Sequence, residues 1–205
     1  MNKTVALGVL GVVGVMLVGI GLVVGVALGS GESVGYPTPE EAVQRYVEST
    51  SDPGQAPGFE LKGTLPVWNG VLVLYTTPGP PGTELLGYRL AKHGASGWLA
   101  DTGVSFGVPS PPNSNDVIEW HADSRVDYSS ELNGVVETAV AFGRTTFSGV
   151  AVVEVVFDQG QTHQTVPGSG FFAVAAVGAT DVQVVRALAA NGTPIIVIDK
   201  RNTVE

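Results

Sequence analysis

Asp101-Thr102-Gly103 is the triplet in this chain whose residue types point to acid–base chemistry. An aspartate on a tight turn activates water when a second carboxylate faces it and the two share one proton, because adjacent like charges cannot both ionise. The chain holds one such triplet, so a second copy would have to supply the partner carboxylate. Asp-x-Gly is also an ordinary turn signature, and Asp101 is read as a turn residue with no catalytic role. The three histidines, His93, His121 and His163, are too scattered to supply the three or four convergent ligands of a zinc site. Asp123, Asp127 and Glu131 are spaced four apart and would share one face of a helix. Their segment lacks the glycine and the dense oxygen ligands of a calcium loop, so they read as a solvated acidic surface. The chain has no cysteine, hence no thiolate nucleophile and no disulfide. No metal or cofactor site and no catalytic residue is expected.

With Leu99-Ala100 before it, Asp101-Thr102-Gly103 resembles the active-site triplet of the aspartic proteases. The resemblance implies a homodimeric enzyme in which each copy contributes Asp101. It covers fewer than ten residues, and no hydrophobic-hydrophobic-Gly element follows to support the loop. Gly31-Glu32-Ser33-Val34-Gly35 carries the letters of a nucleophile elbow. That device needs a strand-to-helix turn at a parallel sheet, whereas this serine follows a long apolar run and reads as part of a flexible tether. Trp68, Tyr75, Tyr88 and Trp98 could line a shallow apolar groove, but packing between a helix and a sheet explains them equally, and core is the reading taken.

The elements that must position these residues begin with an apolar run. Between Lys3 and Glu32 there is no charge, and Val5 to Gly29 is unbroken by polar residues. About twenty apolar residues span a bilayer as a helix. A cleaved signal peptide has a shorter apolar core, so a retained anchor is preferred over cleavage before Ser30. Lys3 on one flank and an acid on the other place the N-terminus in the cytoplasm and the rest outside, in a single pass through the cell membrane. Residues 1–4 are then a cytoplasmic stub, 5–29 the transmembrane helix and 30–37 a tether. Gly21, Gly25 and Gly29 fall on one face, with Gly14 close to the same stripe, a pattern that lets helix backbones pack closely. A protein partner or self-association through this helix is expected. The net charge of −9, without a basic patch, excludes nucleic acid as a partner.

Thr38-Pro39-Glu40-Glu41 predicts a helix start with a capping box, and the helix should run from Pro39 to about Ser49, with Glu41 and Arg45 paired on its solvent side. Strands over Val71–Tyr75, Leu85–Lys92 and Trp98–Phe106 complete a small α+β unit, one helix on an antiparallel meander, across residues 38–107. Residues 108–116 read as a Pro-rich linker. Residues 117–205 carry alternating apolar runs separated by turn signals at Asp158-Gln159-Gly160, Pro167-Gly168-Ser169-Gly170 and Asn191-Gly192. About seven short strands at this spacing predict an Ig-like β-sandwich. The functional expectation is a membrane-anchored extracytoplasmic binding or accessory protein, a non-catalytic subunit or partner-binding module of a cell-envelope or membrane complex. The alternatives are a ligand-binding exodomain lined by aromatics and the protease-like dimer built on Asp101.

Overall fold

The structure, a computed structural model, describes residues 35–50, 58–113, 116–129 and 134–200. The expected transmembrane helix with Gly14, Gly21, Gly25 and Gly29, residues 30–34 of the tether, and Glu131 lie outside the described residues. Among the described residues no helix is long and apolar enough to cross a membrane.

Helix α1 spans Pro39–Thr50. The Thr38 hydroxyl accepts the Glu41 N–H at 3.2 Å, which satisfies one of the free donors of the first turn. Arg45 pairs with Glu48 at 3.6 Å rather than with Glu41. Both spacings are neighbours on a helix surface, so the exchange is between nearly equal options. The chain enters this unit through Tyr36, which exchanges two backbone hydrogen bonds with Trp98, at 2.9 and 2.8 Å. The approach is close enough that a Cβ on Gly35 would lie 2.2 Å from the Ser96 carbonyl oxygen.

Among the described residues eleven strands follow, in three antiparallel sheets. The first is a meander of β1 (Glu60–Val67), β2 (Gly70–Pro78), β3 (Thr83–Gly94) and β4 (Gly97–Pro109), in that order. The middle sheet has the order β5 (Ile118–Ser129), β6 (Gly134–Thr145), β9 (Phe171–Val177). The third has the order β11 (Pro194–Asp199), β10 (Val182–Leu188), β7 (Val152–Phe157), β8 (Thr162–Thr165). The β7–β8 and β10–β11 turns sit where the sequence places them, with Gly160 and Gly192 at φ of 77° and 80°. Gln159 shares the left-handed conformation at 60°, and the Phe157 N–H closes that turn on the Gln161 carbonyl.

Three cores make this a mainly-β stack of layers. Val43 of α1 packs on Val73, Tyr75 and Ala91, on the outer face of the first sheet. Leu72, Leu74, Leu86, Tyr88, Leu90 and Val108 of that sheet pack against Val140 and Phe142 of the middle one. The opposite face of the middle sheet, through Ala139, Ala141, Phe172 and Val174, packs on Val153, Val155, Phe157, Val182 and Val185 of the third. Val136, Thr138, Val140 and Phe142 alternate onto one face of β6, but the intervening alanines are equally buried, because both faces of this strand are covered. Residues from Gly35 onward form one compact unit, and its second core takes side chains from both sides of the expected linker and Val108 from within it.

Candidate functional site

Period-two geometry puts Glu119, His121, Asp123, Arg125 and Asp127 of β5 on one face, turned toward the first sheet. Each meets a partner there. Arg144 of β6 bonds Glu119 at 2.5 Å, Glu84 at 3.4 Å and the Pro109 carbonyl. His121 stacks on Phe106 with ring centroids 5.3 Å apart. The Tyr88 hydroxyl donates to Asp123 at 2.6 Å. Lys92 bridges Asp127 at 2.8 Å and Asp101 at 2.6 Å, and Asn69 adds a bond to Asp127 at 3.0 Å. Arg125, 9 % exposed, lies 3.9 Å from both of those carboxylates and donates to the carbonyl and hydroxyl of Thr102. The result is a polar seam closing one side of the space between the first two sheets.

Asp101 sits on β4 within this seam, beside an open depression of about 280 Å³ that Asp123 and Arg125 also line. It is a strand residue rather than a turn residue. Burial pushes its carboxyl up, but the Lys92 bond, a backbone bond from Thr102 and the charges of Lys92 and Arg125 outweigh that and hold it below the usual carboxylate range. Asp127 behaves alike, with burial overcome by Lys92, Asn69 and Arg125. Burial lowers Lys92, and its two carboxylate partners raise it further than burial lowers it. Burial raises the Tyr88 phenol, and Asp123 raises it again, so Tyr88 remains a donor. A carboxylate kept ionised by two cations is the opposite of one sharing a proton with a second acid.

The remaining candidates are dispersed. Tyr75 and Trp98 lie on the helix side of the first sheet, Tyr88 on the opposite side, and Trp68 is exposed at the β1–β2 turn. These four rings therefore line no common groove. His93 packs edge-on against Trp98, His163 against Phe157, and His121 among Phe106 and Phe142. Among the described residues no three His, Asp or Glu side chains converge on a metal-sized site.

On the side away from the polar seam, strands β1, β8 and β9 leave an open cleft of about 230 Å³. Among the described residues β1 pairs with β2, β8 with β7 and β9 with β6, and beyond a single bridge from Phe171 to Gly168 the strand edges near the cleft carry no further pairing. A β-bulge falls between Leu61 and Gly63, and Lys62 is the residue without a counterpart on β2. The bulge turns Lys62 inward. Its side chain is 11 % exposed, its ammonium stands 4.7 Å from the centre of the Phe171 ring, and its carboxylate partner at 2.5 Å is Glu60, which is 68 % exposed. Thr64, Leu65, Thr165 and Val166 complete the rim. Lys62, Lys92 and Arg144 stand in no sequence motif, whereas Glu119 and Arg125 belong to the run on β5 in which a charged or polar residue recurs at every second position. A comparison with protein-family models, with curated proteins and with solved structures matches none of them to this chain.

Proposed function

We propose that this chain is a membrane-anchored extracytoplasmic binding or accessory protein, a non-catalytic partner-binding module of a cell-envelope or membrane complex. The observation that carries the reading is the cleft between open strand edges, bordered by the exposed apolar side chain of Val166. Open edges and exposed apolar groups are where chains attach to other chains. The ionisable groups that could do chemistry are instead bound to one another in the polar seam. At about 230 Å³ the cleft is below the range that encloses a drug-sized ligand, about 300–1,000 Å³, which favours a protein partner over a small molecule.

The finer fold reading is Ig-like. Strands β5 to β11 form two facing sheets, β5-β6-β9 and β11-β10-β7-β8, in which sequence neighbours repeatedly change sheet. Three strands against four is the division of the immunoglobulin constant-type sandwich, except that here the fourth strand joins the third instead of pairing with the fifth. The anchor rests on the uncharged run Val5–Gly29, and the Gly21, Gly25, Gly29 face supplies its packing surface.

Copurification from gently solubilised membranes tests the role. A stoichiometric protein partner is expected, and Gly25→Leu, which keeps the segment apolar, should weaken association at equal membrane levels. A clean monomer for both proteins overturns the subunit reading. Mass spectrometry of the mature chain tests the anchor, and an N-terminus at Ser30 overturns it.

A further inference from the structure

The cleft beside Lys62 brings together an inward-turned cation, an apolar wall and an open strand edge. A cation is turned inward on a bulge, where most of its side chain is out of water. The wall behind it is apolar, formed by Leu65, Leu74 and Phe171. Its carboxylate partner, Glu60, is largely in solvent and two residues away on the same strand, so the pair is screened and easily exchanged. Among the residues lining the cleft there is no carboxylate.

We propose that this cleft binds the free carboxyl-terminal end of a partner protein whose last residue is apolar. This rests on the partner-binding reading above and names the part of the partner that is recognised. The carboxylate replaces Glu60 on the Lys62 ammonium, and the last side chain packs on Phe171 and Leu65. The small volume favours a chain end, which presents charge and apolar group on one residue. An internal acidic residue has to carry backbone in and out on both sides. Capture of a chain terminus beside an open strand edge is an established mode of peptide recognition.

A bulge and an inward-pointing lysine on an edge strand are also a device that prevents strands from pairing edge to edge. The two roles are compatible, since a strand without an acid would strand the buried ammonium while an end bearing one completes it. They separate experimentally. An edge guard alone gives no preference for a carboxylate ligand, whereas a terminus site does.

The test uses the full-length protein in mild detergent and fluorescein-labelled hexapeptides ending in Val, Leu, Ile or Phe, each as free acid and as carboxamide. Fluorescence polarisation should show at least one free acid binding about tenfold or more tightly than its amide, the scale of one hydrogen bond to a charged group. Lys62→Met keeps the apolar stem on Phe171 and should erase the acid-over-amide difference. Lys62→Glu should reject the free acid, with its thermal unfolding measured alongside to establish that it folds. The proposal is overturned if no peptide binds, if acid and amide bind alike, or if blocked peptides with an internal Glu bind as tightly as the free acids. It is equally overturned if the Lys62 variants merely self-associate through the exposed edge. A copurified partner that stays bound to Lys62→Glu removes the cleft but leaves the accessory role standing. Peptide binding by a chain that copurifies with nothing does the reverse.

Discussion

Arg144→Met tests whether the polar seam is an integral part of the fold. The Arg144 side chain is 5 % exposed and Glu119 is 10 % exposed, with 2.5 Å between them. Methionine keeps the apolar stem, so little packing is lost. What remains is a carboxylate buried without its cation. Removing one member of a buried pair costs about 3–5 kcal/mol, because the survivor has neither water nor a counter-charge. For a unit of this size each kcal/mol moves the melting temperature by about 2–4 °C, so the variant should melt about 6–20 °C lower. Glu119→Gln alone should cost less, since Arg144 still has Glu84 and the Pro109 carbonyl. The double variant should recover at least half of the loss, because the stranded charge is gone. Thermal and urea unfolding of the full chain at pH 7, followed by circular dichroism, reads all three. A loss of under about 1 kcal/mol for Arg144→Met, the scale of an exposed pair, refutes the reasoning, as does a double variant no better than the single one.

The low carboxyl pKa values of Asp101, Asp127 and Glu154 make stability pH-dependent. Their folded values lie below the ordinary 3.8 and 4.5, so the contribution is fully present above that range and is lost as pH falls through the folded values. The urea midpoint should be flat near neutrality and drop below about pH 4, and a flat midpoint down to about pH 2.5 contradicts the assignment. Asp101→Asn should cost about 0.2–1 kcal/mol and leave biological activity intact, since its ion pairs are partly exposed. Acid-dependent peptide cleavage by wild type, abolished in that variant, reverses the non-catalytic reading. Gly143→Ala should destabilise by about 1–3 kcal/mol or prevent folding, because the new Cβ falls 2.2 Å from the Glu119 carbonyl oxygen. Gly107→Ala, which meets nothing within 4 Å, should stay within about 0.5 kcal/mol of wild type in the same melts.

Much of the β-rich half was legible because its turns carry their own chemistry. The turn signal Pro167-Gly168-Ser169-Gly170 stands directly before β9, and Gly178 stands directly after it, so both ends of that strand are marked in the sequence. Strand β1 has no clear alternating signature because Lys62, Gly63 and Pro66 break it, the first two through the bulge that shapes the cleft. The second half of β5 was weighed as a helix from the four-residue spacing of Asp123 and Asp127. That spacing also selects one face of a strand, and the intervening Arg125 on the same face decides for period two. The charged seam was illegible as a site because its members come from β3, β4, β5 and β6, and only the stacking of two sheets brings them together. Nothing in local pattern announces a sheet covered on both sides. Small residues at alternate positions of β6 and β9, Ala139, Ala141, Ala173 and Ala175, were its trace.

A strand walled in on both faces makes the molecule separable without making it divisible. If the chain is cut in the connection between β4 and β5, the downstream piece keeps its own two-sheet core but turns Val140, Phe142, Phe171, Ala173 and Ala175 out to water. The upstream piece bares Leu72, Leu74, Leu86 and Leu90. Neither surface is tolerable to a free fragment, and each is the template of the other. Two halves made as separate polypeptides should therefore find one another and rebuild the native stack by complementation, with the severed connection contributing no more than proximity.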